Sequence, residues 1–247
     1  MDKIAQFKAE HDEIVKLDHT REAISMQMYG QYQRRNSFGV DRNKEIHRIF
    51  QKEFYDRDIK DQTLTLPLAE AGITWNDPLE NPLANVKTID IVTRKEILLG
   101  SLVQQFYALC WTERPTATKK DWKSFSHRKP AVRISTTIGK LLDRLMHPDD
   151  PYYMLRYWVI RVDYKDPTLI QAMQNPGEVY QRMETTGAML ALSAAVIRTQ
   201  YSDQKEIRLL FDASINPQQQ NVTYQEAPKL VRIPFDWNGF VDKEILY

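Results

Sequence analysis

The chain has 247 residues, 42% of them hydrophobic and 27% charged, with 34 lysines and arginines against 33 aspartates and glutamates. These are the proportions of a globular protein with one large core and room for an appendage, not of a disordered segment. A net charge of +1 gives no global electrostatic footprint for nucleic acid, and the single cysteine, Cys110, excludes an internal disulfide framework.

No apolar run approaches the roughly 18 residues a membrane span needs, and the opening residues Met1–Lys8 meet charge before any apolar stretch builds up. The expectation is a cytoplasmic protein in a reducing compartment, with no membrane association. The histidines at 11, 19, 47, 127 and 147 fall in no metal-ligand spacing, so no metal is expected.

From Asp2 to about Met28 there is no Gly or Pro, and Ile4, Phe7, His11, Ile14, Leu17 and Ile24 recur near a helical period. Residues 1–40 read as a helical arm, with the polar run Gln31–Ser37 and Gly39 as a joint, and 41–247 as an α+β domain. The arm fits a helix packed on that domain better than a docking handle for a partner. Candidate strands follow at Glu45–Phe50 and Thr63–Leu66. The segment Trp75-Asn76-Asp77-Pro78-Leu79-Glu80-Asn81-Pro82 is a turn signature, with Trp75 as a core plug or the wall of a base-binding pocket.

A helix is predicted over Arg94–Val103, then strands over Phe106–Thr112 and Ala131–Thr136, a helix over Ile138–Met146 and a strand over Tyr157–Tyr164. Short and long helices follow at Thr168–Met173 and Gly177–Thr199, the second introduced by Asn175-Pro176. Its expected buried stripe is Val179, Met183, Leu190, Ala194 and Ile197. Strands at Lys205–Asp212, Lys229–Pro234 and Val241–Leu246 close the chain. Late strands in succession indicate α+β rather than a doubly wound sheet. No glycine-rich dinucleotide fingerprint, P-loop or internal repeat is present.

Three constellations carry candidate chemistry. In the last helix-to-strand passage, Glu206, Arg208, Leu210 and Asp212 share one strand face, and Ile207, Leu209 and Phe211 the other. Glu206 therefore lies beside Arg208, and Gln204 two residues earlier is expected on the same side. The pattern alone fits a solvent-facing pair on an edge strand better than a site. Next, Asp121–Thr137 mixes Trp122, Phe125, hydroxyls such as Ser126 and Ser135, and cations including Arg133, a composition suited to stacking on a base beside phosphate. A half-buried strand with polar outer residues is the commoner case, and His127 is more often solvated than catalytic. Third, Ile46, Arg48 and Phe50 share a face, so Arg48 either snorkels or pairs with an anion.

In this order the motifs resemble a family of bacterial domains of unknown function. The family's Y-R-I-F strand, W-x-D-P-F-E-N turn, C-W-S strand, W-x-x-Y/F-S segment, G-V-R-I strand and E-x-E-x-R-L strand correspond to His47-Arg48-Ile49-Phe50, Trp75–Asn81, Cys110-Trp111-Thr112, Trp122 with Phe125-Ser126, Ala131-Val132-Arg133-Ile134 and Gln204–Leu209. The match runs from about residue 44 onward. His47 stands where the family has an aromatic, Gln204 where it has its first acid, and the closing D-P-R is missing after Val241–Tyr247, which reads as either a trimmed chain or a shortened final strand.

More distantly the pattern is similar to the ADP-ribosyltransferase fold, with mixed and antiparallel sheets and flanking helices. The resemblance implies NAD as a substrate, bound through Arg48 or His47 and through Ser135, Thr136 and Trp75. It implies Glu206 as the catalytic carboxylate and Gln204 as the group orienting the acceptor. Trp122, Ser126, Arg133 and Arg208 would line the acceptor side. The activity implied is ADP-ribosylation of nucleic acid, RNA favoured, or of protein, by a bacterial toxin or phage-defence effector whose helical arm engages an antitoxin or chaperone. Two rivals stand beside it: a nuclease-like module with Glu206 and Asp212 as metal-binding acids, and a non-enzymatic interaction or nucleic-acid-binding domain.

Overall fold

The computed structural model describes residues 2–19, 26–69, 79, 82–83, 86–89, 92–100, 106–147, 150, 152–175, 186–214 and 229–247. Among them the strands are β1 (Ser37–Phe38), β2 (Glu45–Gln51), β3 (Thr63–Pro67), β4 (Lys87–Ile89), β5 (Glu96–Leu98), β6 (Phe106–Thr112), β7 (Ala131–Thr137), β8 (Tyr157–Arg161), β9 (Asp163–Lys165), β10 (Val196–Arg198), β11 (Glu206–Asp212), β12 (Leu230–Pro234) and β13 (Lys243–Leu246). Seven form one sheet in the order β1-β8-β11-β6-β2-β7-β13. Only β1 and β8 run parallel; the other neighbours are antiparallel. With its flanking helices this is a mixed α+β fold.

One face of the sheet carries the main core. Ile46, Phe50, Leu109, Trp111, Val132, Ile134, Ile207 and Leu209 pack there against Phe235, Trp237 and Phe240 and the helix Ile138–Leu145. That helix buries Ile138, Leu141, Leu142 and Leu145, spaced i, i+3, i+4 and i+7, and Thr137 caps its start by accepting the Lys140 N–H at 3.3 Å. The opposite face has two apolar islands. One joins Phe38, Phe106, Ala108, Trp158, Ile160 and Leu210 to the helix Ala188–Ser193. The other is Ile49 and Ala131 under Trp122 of the helix Lys119–Ser126. Because both faces are covered, β11 is buried along its length and flanked by β8 and β6. The expectation of a solvent-facing Glu206–Arg208 pair on an edge strand is thereby overturned.

The helix Lys3–His19 turns Phe7 and Ile14 inward, and Lys3 ties it to β8 and β9 by bonds of 2.6 Å to the Arg161 carbonyl and to Asp163. The polar run read as a joint is instead the end of the helix Met26–Arg35 and the start of β1. Its polar groups are buried because they have work inside: Asn36, fully buried, donates to the carbonyls of Met154 and Tyr157 at 2.8 and 2.9 Å.

Two helix expectations need correction. In place of a helix over Arg94–Val103, Glu96–Leu98 pairs with Lys87–Ile89 as a two-stranded ribbon, while 101–105 lie outside the described residues. The long helix over Gly177–Thr199 is not continuous: 176–185, with Val179 and Met183, lie outside the described residues, and only Ala188–Ser193 is helical after a left-handed Gly187. The β-branched pair Val196-Ile197 then enters β10, parallel to β9, because it can pair there. The strand over Tyr157–Tyr164 is likewise broken at Val162 into β8 and β9. No helix among the described residues is long and apolar enough to cross a membrane.

The helix Lys119–Ser126 starts on a reciprocal cap: Thr118 Oγ1 accepts the Asp121 N–H at 3.2 Å and Asp121 accepts the Thr118 N–H at 2.7 Å. Thr118→Ala is expected to lower stability by about 1 kcal/mol in urea unfolding. An unchanged midpoint would mean that Arg114, 2.7 Å from Asp121, holds the helix start alone.

Candidate functional site

Residues directly opposite in antiparallel strands project to the same face. The register aligns Ser135 of β7 with His47 of β2, His47 with Thr112 of β6, and Thr112 with Glu206 of β11. Four polar side chains from four neighbouring strands thus form one row. It lies on the face with the two apolar islands. Two residues further along the strands, Arg133, Cys110 and Arg208 occupy the same face.

At one end of the row, Glu206 is only 6% exposed. The Arg208 Nε–H donates to its carboxylate at 2.8 Å, and the Arg208 Nη1 donates to the Ala194 carbonyl at 2.6 Å. Cys110 lies opposite Arg208 on the same face, and burial pushes its thiol up from its ordinary value, so it stays protonated. The Glu206 N–H donates to the Tyr164 hydroxyl at 2.8 Å, and burial raises that phenol to about 12. Thr112 links the carboxylate's neighbourhood to the preceding turn by donating to the Gln204 carbonyl at 2.5 Å. Gln204 itself ends the 3₁₀ turn Thr199–Gln204, and Lys205 is left-handed at φ 46°, so strand alternation does not extend back from Glu206 to Gln204.

At the other end, His47 Nδ1 lies 2.8 Å from Ser135 Oγ, and Nε2 lies 3.8 Å from Glu45. Burial first, and then the Arg133 guanidinium, hold the imidazole down to about 4 against the pull of Glu45. His47 is therefore neutral near pH 7. Arg48 points the other way: its guanidinium lies 5.0 Å over the Phe50 ring and donates to the Cys110 carbonyl. That carbonyl is open because β2 and β6 meet at one pair, His47 with Thr112. Arg48 remains within Coulombic reach of Glu206, and its buried Nε has no partner among the described residues.

The other expected site residues are placed apart from this row or are taken up internally. Thr136 faces the main core and donates to the Phe240 carbonyl at 2.7 Å. Trp122 stacks on Tyr247 with ring centres 4.7 Å apart. The Ser126 hydroxyl accepts the Arg128 N–H at 3.0 Å, and Arg133 donates to the Arg114 and Pro115 carbonyls at 2.6 and 3.0 Å. Trp75 lies outside the described residues. Asp212 sits at the far end of β11 from Glu206, and among the described residues no group of three His, Cys, Asp or Glu side chains could hold a metal. Sequence reasoning missed Thr112 and Tyr164 as neighbours of Glu206. Alternation places Thr112 on a face, but only strand order places it beside Glu206.

His47 has a measurable consequence. Its folded value lies below the ordinary 6.5, so the unfolded chain takes up a proton first as pH falls. The stability this neutral imidazole contributes is present above about pH 6.5 and is lost as pH drops toward 4. His47→Gln is expected to flatten urea stability between pH 7 and 5 relative to the parent; identical pH slopes would refute the assignment.

Comparison with family models, curated proteins and solved structures finds no match for this chain.

Proposed function

We propose that the chain is an NAD-dependent ADP-ribosyltransferase with Glu206 as the catalytic carboxylate. The observation that carries this reading is the row itself: Ser135, His47 and Glu206, from three separate strands, share one face of one sheet. Cleavage of the bond between nicotinamide and ribose sends the bonding electrons to nicotinamide and leaves positive charge on the sugar. A carboxylate already fixed by Arg208 stabilises that charge without reorganising. An acceptor oxygen or nitrogen then adds to the same ribose carbon and gives up its proton. Neutral His47 and the Ser135 hydroxyl supply hydrogen bonds for the ribose side of the dinucleotide, so His47 rather than Arg48 takes the early-strand role. No metal and no covalent nucleophile enter the scheme.

Purified protein is to be incubated with labelled NAD and, in turn, cell RNA, single-stranded DNA and cell lysate, beside Glu206→Gln. Nicotinamide release or label transfer that disappears in the variant supports the assignment and gives the acceptor class. Absence of both NAD binding and turnover sinks it and puts the non-enzymatic interaction module in front.

A further inference from the structure

The helix Lys119–Ser126 has two unlike faces. Trp122 and Ser126 turn inward, while Lys120, Lys123 and Ser124 turn out and, with His127 and Arg128 after the helix, line an open cleft of about 550 Å³. No apolar or acidic residue lines it. Lys120, Lys123 and Arg128 make no ion pair among the described residues, whereas neighbouring Arg114 is paired with Asp121 and Arg161 with Glu113. An exposed helix face of this kind is commonly just solvated, but two further features set this one apart.

First, the chain leaving the helix is held in an unfavourable shape. His127 and Arg128 are both left-handed, with φ of 51° and 64°, a conformation that side chains with a Cβ adopt at a cost. The buried Ser126 hydroxyl fixes the bend by accepting the Arg128 N–H. Glycine would relieve the strain at either position; the sequence instead puts an imidazole and a guanidinium there, both at the cleft. Second, Phe125 is 50% exposed on the next face of the same helix, beside Ser124. Cations on one open face, with an exposed ring on the same helix, match a phosphodiester backbone with an unstacked base.

We propose that this cleft binds single-stranded nucleic acid through its phosphates, with Lys120, Lys123 and Arg128 as the backbone contacts and Phe125 as a stacking platform. From Lys120 to His127 the helical rise is roughly 10 Å, room for two or three phosphates. A membrane surface is the poorer fit, since the cleft lining is wholly polar and Phe125 is the one exposed apolar side chain on this helix. The site does not depend on NAD chemistry. It also replaces Trp122 and Arg133, which are engaged internally, as the contact surface for a nucleic acid.

The test is fluorescence anisotropy with a labelled single-stranded oligouridylate of about 20 nucleotides, without NAD, from about 50 to 200 mM salt. The parent should bind with a log–log salt slope near −2, from about three released counterions. Lys120→Glu/Lys123→Glu/Arg128→Glu should weaken binding by about tenfold or more and remove most of that slope. Lys8→Glu/Lys60→Glu/Lys95→Glu, the same change in net charge at exposed lysines elsewhere, should bind like the parent. The neutral triple with glutamine at 120, 123 and 128 guards against a folding defect and should show the same loss, with an unchanged far-UV spectrum. Equal losses in the two charge-reversed triples would overturn the site. So would a parent that fails to bind the oligonucleotide at low salt, or that binds anionic vesicles instead.

Discussion

Arg208→Met is expected to cost about 3–5 kcal/mol and to lower Tm by roughly 10 °C. Methionine fills a similar volume and is apolar, so the loss comes from what it leaves behind. Arg208 is fully buried and bonds both Glu206 and the Ala194 carbonyl. Removing it strands a carboxylate that is 6% exposed and orphans a carbonyl in the same stroke. The diagnostic is the double variant Arg208→Met/Glu206→Gln. Neutralising the stranded carboxylate should recover about 1–3 kcal/mol of the loss. A single variant that loses under about 1 kcal/mol, or a double variant no more stable than the single, would show that the pair contributes little.

How much of this site could be read from the sequence depends on which property is asked for. The strands that carry it, β2, β6, β7 and β11, are alternating β-branched and aromatic runs, and their limits agree with expectation to within about one residue. Which face each side chain takes was likewise legible, because a period of two is fixed by the backbone. Strand order was not. Nothing local says that β11, far along the chain, lies between β8 and β6, and so nothing local says that Glu206–Arg208 is buried rather than solvated. The same gap explains Arg133. An arginine two places from Ser135 reads as a surface cation until the loop after β6 arrives with two unpaired carbonyls for it to bond. The helix errors have a different origin. Glu96-Ile97-Leu98 can be helix or strand on propensity, and pairing with Lys87–Ile89 decides.

Glu206→Gln is expected to lower NAD turnover by about 100- to 1,000-fold, the loss typical of removing one preorganised electrostatic group. The substitution is chosen for what it keeps. Gln is isosteric, and its carbonyl oxygen still accepts the Arg208 Nε–H, so the row retains its geometry and stability falls by no more than about 1–3 kcal/mol. What disappears is the negative charge that, in the proposed reaction, faces the ribose when the nicotinamide bond breaks. Because that charge is needed in the transition state, the loss should fall on kcat, with the KM for NAD little changed. His47→Gln and Ser135→Ala should do the reverse, since in the proposed reaction their hydrogen bonds would hold the dinucleotide before and during reaction alike. If Glu206→Gln instead lowered NAD affinity, turnover and Tm together, the carboxylate would be a partner for Arg208 and nothing more. The split between kcat and KM therefore distinguishes a catalytic Glu206 from a structural one, where a loss of activity alone would not.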